Sequence, residues 1–275
     1  LFWAKIFRKP FCIIVGGYDA VSSRSLAYGI FLKKNIRQAL ARWNYQQADQ
    51  IWVVHKSLAK GCPQARTQDG TISGIQMFIP NLETTILEIP TAYNPSFWKK
   101  KSVKKPKTIL TVANISDQRT FDRKGIPLFL SLARELPDYH FTIAGIKSVA
   151  QSDEYPENVN LIGTIDASAL VTLYSQHQFY FQGSKIEGLP NVLCEAMLCE
   201  CIPIGSNVFG IPDAIGSTGF VFEGFNGLHT IASFLEGFDL NSKVGEKARK
   251  RIKNKYSVEK RKNAFKTFIN QGINV

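Results

Sequence analysis

Short apolar runs of about five residues, each closed by glycine, proline or polar residues, alternate with longer stretches of helical periodicity along most of the chain. In the second half, residues 108–114, 140–145, 158–163, 179–183, 201–205 and 219–223 read as strands. Between them, 125–136, 166–176 and 190–200 read as helices, the second with Asp166 placed to cap its N-terminus. In the first half, 11–17 and 50–55 read as buried strands and 35–48 as a helix ending at Asp49. Two proline-bounded stretches, 76–80 and 84–90, read as β-rich. A basic helical tail over 241–271 breaks near Tyr256-Ser257. Such alternation predicts an α/β fold of βαβ units with parallel sheets flanked by helices. Ligands of these sheets bind beyond the carboxyl ends of the strands. The loops to watch are therefore 114–124, 145–150, 183–190 and 205–213.

With 275 residues the chain is long enough for two domains at about 150 residues each. The division is expected at 99–107, where six lysines and Pro106 form a charged linker. Residues 1–98 and 108–255 then form the two domains, and 256–275 a C-terminal helix returning toward the first. The net charge of +12 is uneven: residues 1–98 carry eleven basic and five acidic groups, and 201–275 eleven and six. That balance favours anionic ligands or surfaces. With no helix-turn-helix, zinc-finger or RNP signature, a nucleic-acid role is not expected. Five cysteines are few for a disulfide scaffold and point to a reducing compartment. Cys194, Cys199 and Cys201 lack metal-site spacing and read as buried thiols. No apolar run approaches the ~18–20 residues that span a bilayer.

The most informative loop follows the 179–183 strand and reads Ser-Lys-Ile-Glu-Gly-Leu-Pro-Asn-Val-Leu-Cys-Glu over 184–195. Pro190 suits the first turn of a helix, where its missing N–H costs nothing. Glu187 then stands on the loop and Glu195 in the second helical turn. A helix N-terminus presents free N–H groups and the positive end of the helix dipole, which suits phosphate. Carboxylates suit sugar or ribose hydroxyls. Phosphate donors beside hydroxyl acceptors describe a nucleotide-sugar site; an ordinary strand–turn–helix with a capping Glu is the plainer alternative. A second cluster, Asp122-Arg123-Lys124-Gly125, puts cations before a helix at the same sheet edge, where a lysine is more often a solvated surface charge. A third, residues 205–213, is a glycine-flanked loop leading into a short helix with Pro212 and Asp213 at its start.

Together these stretches resemble the retaining glycosyltransferases of family 4, which have the GT-B fold. Glu187 and Glu195 match that family's Glu-x7-Glu motif. The following C-I-P-I-G-S-N-V-F-G-I-P-D resembles its G-x-P-V-V-A-S-x-x-G-G-I-P-E stretch, and 108–125 resembles its strand followed by Lys-Gly. The resemblance runs from about residue 11 to 271. It implies two Rossmann-like domains, a partial acceptor-side one over 1–98 and a nucleotide-sugar-binding one over 108–255. It also implies that Lys124 contacts a donor diphosphate, that Glu187 meets the donor sugar and that Glu195 holds the ribose. Asn114, Arg123, Gly188, Leu189, Pro190 and Asn191 complete the implied donor-binding set, with Glu187 and Lys124 as the catalytic pair. No metal or other cofactor is implied. Three departures stand out. Ala113-Asn114 replaces a Gly-Arg, leaving Arg119 or Arg123 to substitute. Gly16 stands where some members have His. The βα units that precede the 11–17 strand in the family are absent, so the first domain is expected to be incomplete.

The expected activity is transfer of a hexose, with retention, from a nucleotide-diphosphate sugar to a glycan or lipid-linked acceptor in polysaccharide biosynthesis. Alternatives are a nucleotide-sugar epimerase and a non-catalytic sugar-nucleotide-binding protein. No G-x-G-x-x-G follows a strand, which argues against a dinucleotide oxidoreductase. A cytoplasmic location is expected, and the basic first domain, the lysine linker and Trp3 and Phe7 permit peripheral contact with the inner membrane face.

Overall fold

A computed structural model of the chain describes residues 2–7, 9–147, 155–224, 227–240 and 242–273. The chain forms two compact units: residues 1–92, 187–189 and 256–275 make up the first, and 93–186 with 190–255 the second.

The first unit opens with helix α1 (Phe2–Ile6) and strand β1 (Cys12–Val15), followed by the short strand β2 (Val21–Ser22) and helix α2 (Ile36–Gln47). Asn35 caps α2 by accepting the Gln38 N–H at 3.0 Å. Strand β3 (Gln50–Val53), helices α3 (Ser57–Lys60) and α4 (Pro63–Asp69), strand β4 (Ile72–Ser73), helix α5 (Ile75–Phe78) and strand β5 (Thr85–Glu88) complete its first stretch. The main sheet runs β1-β3-β5, all parallel, and β2 pairs with β4 antiparallel. Ile51, Trp52 and Val53 of β3 are all buried, as a central parallel strand requires. Residues 76–80, read as β-rich from their apolar content, instead overlap the end of α5, a single turn too short for helical periodicity to show.

The second unit is built on a six-stranded, all-parallel sheet. Its elements in chain order are β6 (Lys105–Ile115), α6 (Gln118–Arg123), α7 (Ile126–Glu135), β7 (His140–Ile146), β8 (Val159–Ile162), α8 (Ala167–Gln176), β9 (His177–Gln182), α9 (Asn191–Leu198), β10 (Ile202–Ser206), α10 (Ile211–Ile215), β11 (Phe220–Phe222), α11 (Leu228–Glu236) and α12 (Val244–Lys255). The sheet order is β11-β10-β9-β6-β7-β8. Strand β6 begins inside the lysine-rich stretch. Asp166 caps α8 by accepting the Ala169 N–H at 2.8 Å.

One sheet face buries Phe129 of α7 and Leu235 of α11 against Phe141, Phe179 and Phe181. On the opposite face Tyr174 of α8 meets Tyr180 edge-on at 5.9 Å, and Leu193 and Met197 of α9 are fully buried. Alternation along β9 sends Phe179 and Phe181 one way and Tyr180 the other. The last helix, α13 (Val258–Ile273), belongs to the first unit. Phe265 and Phe268 stand edge-on to Trp52 at 4.8 and 5.6 Å, and Arg261 donates to the Ile89 and Pro90 carbonyls at 3.2 and 2.6 Å. Among the described residues no helix is long and apolar enough to cross a membrane.

Candidate functional site

The strand order of the second unit reverses between β6 and β9: the chain runs outward from β6 to β7 and β8, and from β9 to β10 and β11. A parallel sheet opens a crevice at such a switch point, because the loops on its two sides diverge. The loops that border it, 114–124 and 183–190, are two of the four singled out from the sequence.

Beyond β6, Asp117 caps α6 by accepting the Thr120 N–H at 2.8 Å, and that bond holds the Asp117 carboxyl below its usual range. Arg123 ends α6, and Lys124 is its C-cap. Gly125 follows at φ 73, in the left-handed region. A Cβ on Gly125 would run into the carbonyl of Gly183, the residue after β9. The Lys185 N–H donates to the Arg123 carbonyl at 2.8 Å. The two loops are thus joined backbone to backbone, which fixes Lys124 at the crevice. Asn114 lies exposed near the end of β6, where the register with β7 shifts.

Beyond β9 a buried polar chain anchors the loop. The Tyr180 hydroxyl donates to Gln182 Oε1 at 3.3 Å, Gln182 Nε2 to Ser184 Oγ at 2.8 Å, and Ser206 Oγ to the Ser184 carbonyl at 2.7 Å. Buried groups satisfied in this way hold a loop in one conformation. Pro190 is the N-cap of α9, one residue earlier than its predicted place in the first turn, and it offers no side-chain acceptor. The first-turn amides of α9 therefore remain available to an external acceptor. Asn191 Oδ1 accepts the Tyr93 hydroxyl at 2.9 Å.

Glu195 lies in the second turn of α9. Burial raises its carboxyl pKa from 4.5 to about 7, opposed by the Tyr174 hydroxyl, which stands 3.5 Å from Oε2. Burial also pushes the Tyr174 phenol well above its usual range. Near neutral pH this carboxyl is poised between an acceptor-only and a donor-plus-acceptor form. Tyr174 carries no sequence signal linking it to Glu195: it is one apolar-face position of α8, 21 residues upstream. Tyr93 is equally silent.

Glu187, Gly188 and Leu189 pack with the first unit. There a Cβ on Gly188 would run into the Gly16 carbonyl, so glycine is needed for close backbone approach. Glu187 is half-buried. At the carboxyl ends of β3 and β5, His55 is buried with Nδ1 2.8 Å from Ser57 Oγ, and Glu88 Oε1 accepts the Lys56 N–H at 3.2 Å. The sequence motif Glu-x7-Glu is thus divided between two packing units, with Lys124, Arg123, Asn114, Pro190, Asn191 and Glu195 in the second.

Of the other watched loops, 145–150 is described only to residue 147. Loop 205–213 leads into α10, with Pro212 in its first turn. Phe209, at the first glycine of the resembled G-G-I-P-E stretch, is buried and has φ 51, a conformation glycine adopts freely. Cys194, Cys199 and Cys201 are buried thiols, as read. Among the described residues no group of three or more His, Cys, Asp or Glu stands where it could hold a metal ion.

Comparison with solved structures places this architecture among known folds. Sucrose-phosphate synthase from Thermosynechococcus elongatus superposes with a TM-score of 0.66 at 18% identity, over 87% of this chain and 62% of that one. S. aureus TarM, in complex with Fondaparinux, alpha-GlcNAc-glycerol and UDP, gives 0.69 at 14% identity, over 98% and 53%. Anabaena HepE, in complex with UDP-glucose, gives 0.67 at 11% identity, over 99% and 73%. At these identities the likeness speaks for the GT-B fold, and the chain spans less than two thirds of the first two proteins. No curated protein sequence matches it. The family model described as Glycosyl transferases group 1 matches residues 94–251, which takes in all of β6 to α11 and both switch-point loops. Matched over more than half its length, the chain belongs to the glycosyl transferases group 1 family.

Proposed function

We propose that this protein is a retaining glycosyltransferase that moves a hexose from a nucleotide-diphosphate sugar to a hydroxyl of a glycan or lipid-linked acceptor. The observation that carries the reading is the switch point of the second unit. Lys124 follows α6 on a loop tied to the β9–α9 loop by the Lys185 N–H to Arg123 carbonyl bond, the first turn of α9 has no side-chain cap, and Glu195 lies one turn further along that helix.

In this reading Glu195 accepts the ribose hydroxyls, and the α9 amides receive the phosphates. Lys124 and the helix dipole stabilise the charge that develops on the departing diphosphate. Arg123 and Asn114 complete the phosphate side, with Pro190 fixing the entry to α9. Glu187 and the amides of Gly188, Leu189 and Asn191 meet the donor sugar and orient its anomeric carbon. The leaving-group charge is balanced by these groups, so the reading requires no metal ion. UDP is the first nucleotide to test, since the TarM and HepE complexes hold UDP or UDP-glucose.

The test is UDP release from a set of UDP-sugars with and without glycan acceptors. Acceptor-dependent UDP release with an α-linked product supports transfer with retention. Sugar isomerisation without acceptor would make the protein an epimerase, and tight UDP binding without turnover a binding protein.

We also propose that the first unit makes peripheral membrane contact during synthesis of surface polysaccharide. Trp3 (67% exposed) and Phe7 stack at 6.1 Å beside Lys5 and Lys9, and Ile36 (76% exposed) and Leu40 lie along α2 with Lys33, Lys34 and Arg37 nearby. Aromatic and aliphatic side chains flanked by cations suit an anionic interface. Co-sedimentation with phosphatidylglycerol vesicles, lost in Trp3→Ser/Phe7→Ser, is the expected result; indifference to vesicles would remove the idea. None of the five cysteines forms a disulfide, which suits a reducing, cytoplasmic location.

A further inference from the structure

The first unit has a cavity of about 130 Å³ that the donor reading does not use. Lys60 at the end of α3, Arg66 of α4, Thr71, and Ile72 and Ser73 of β4 stand on its wall. None of them lies in the stretch 94–251 that the family model matches. The α3–α4 connection and β4 are held together here by backbone in close approach. A Cβ on Gly74 would come within 2.4 Å of the Gly61 nitrogen, and one on Gly61 within 2.9 Å of the Ser73 carbonyl oxygen. The Cys62 N–H donates to Ser73 Oγ at 2.9 Å and completes the joint. Two hydroxyls are buried on this wall. Thr71 is 0% exposed, and its Oγ1 meets no hydrogen-bond partner among the described residues. Ser73 is 3% exposed; its Oγ accepts the Cys62 bond and retains a proton to donate.

We propose that this cavity is a phosphoryl-binding site, which takes the phosphate group of a phosphorylated small molecule or headgroup. The two charged residues on the wall are both cations, and among the described residues neither Lys60 nor Arg66 forms an ion pair. Asp69, the carboxylate nearest to Thr71 in sequence, is not on the wall. Its Oδ1 accepts the Thr71 N–H at 3.0 Å and its Oδ2 the Ser25 hydroxyl at 3.3 Å. The wall therefore favours an anion, which an ammonium and a guanidinium hold by charge-assisted hydrogen bonds. An unmade bond at a buried hydroxyl is costly, so Thr71 calls for an acceptor oxygen inside the cavity. A phosphate monoester carries three strong acceptor oxygens, enough for Lys60, Arg66 and Thr71 together. The volume agrees. It is several times the ~30 Å³ share of one water and below the ~300–1,000 Å³ that encloses a whole small molecule. The phosphoryl group enters, and the sugar or glycerol that bears it stays outside.

The site does not rest on the glycosyltransferase reading. Its test is phosphorus NMR of inorganic phosphate, glucose 1-phosphate and glycerol 3-phosphate titrated against the full chain at ~0.15 M salt. At least one is expected to bind saturably, with an affinity that falls about tenfold in Thr71→Val and in Arg66→Gln. Preference for glucose 1-phosphate would identify a sugar phosphate as the ligand, preference for glycerol 3-phosphate a lipid headgroup, and equal affinities free phosphate. The Thr71 hydroxyl has its own signature. Thr71→Val removes an unpaired buried group, so its Tm without ligand should equal or exceed that of wild type, while the rise in Tm that the bound phosphate gives wild type should be lost. Should Thr71→Val fail to fold, Arg66→Gln, which alters an exposed side chain, carries the affinity test alone. Absence of binding by all three phosphates would overturn the site and leave a solvent-filled cleft. Unchanged affinity in the folded variants would overturn it too, by placing the phosphate elsewhere. Failure of UDP to bind would count against the donor reading instead.

Discussion

Glu195 is a carboxyl that folding makes harder to ionise. Its pKa is 4.5 unfolded and about 7 folded, so the folded chain binds the extra proton more tightly between those values. Its contribution to stability is therefore most favourable below pH 4.5, declines as pH rises through the window, and is constant above 7. The ceiling on that change is about 3 kcal/mol, and the true figure is lower because the side chain keeps some access to water. Thermal melts of Glu195→Gln should lose this slope between pH 5 and pH 7, with a Tm at pH 8 equal to or above wild type. In the proposed function the same titration also bears on ligand binding. A ribose diol donates two hydrogen bonds best to the ionised form, so uridine affinity should rise from pH 6 to pH 8 by calorimetry, and the rise should vanish in the glutamine variant. Arg249 is the structural counterpart. Its guanidinium donates to the carbonyls of Trp98 and Pro95, both at 2.7 Å, and of Leu198, tying the chain entering the second unit to the end of α9. Arg249→Ala leaves three carbonyls without that donor, and a loss of ~2–4 kcal/mol is expected in urea denaturation.

At the scale of elements, the joint between the β6–α6–α7 and β9–α9 connections carries the site. Gly125→Ala places a methyl against the Gly183 carbonyl at a left-handed φ, and should cost at least ~2 kcal/mol by urea denaturation and weaken UDP binding with it. This joint was half legible in the sequence. Short apolar runs placed all six strands of the second sheet, most plainly the central ones, which are buried on both faces and read as nearly uninterrupted apolar stretches, and Asp166 marked α8 through its cap chemistry. Pro190 was misplaced by one residue, since Pro is tolerated both at an N-cap and in a first turn. The stretch 76–80 was misread because one helical turn shows no period. The start of β6 at Lys105 was hidden by lysines that read as solvated linker. What no local pattern reports is who meets whom: Tyr174 at Glu195, Tyr93 at Asn191, Arg249 across three carbonyls, and Gly188 at Gly16 are all set by tertiary packing. The spacing of Glu187 and Glu195 was plain; their division between two packing units was not.

Over the whole molecule, two units each carry their own parallel sheet, and the chain's end returns its last helix to the first. Trp52 is buried at 1% exposure against Phe265 and Phe268 of that helix, so Phe265→Ala/Phe268→Ala should open it to acrylamide quenching and lower Tm without altering UDP affinity, whose proposed determinants lie in the second unit. The surplus of positive charge is a property of the same scale. It predicts that association with UDP weakens as salt rises, through screening of the phosphates. In the proposed function the second unit holds a nucleoside diphosphate at its switch point. Calorimetric titration of UDP into the wild-type chain and Glu195→Ala tests that most directly. Saturable wild-type binding that weakens about tenfold or more in the variant, with thermal unfolding unimpaired, is the predicted result; equal affinities, or no binding of UDP or any other nucleoside diphosphate by wild type, would contradict it.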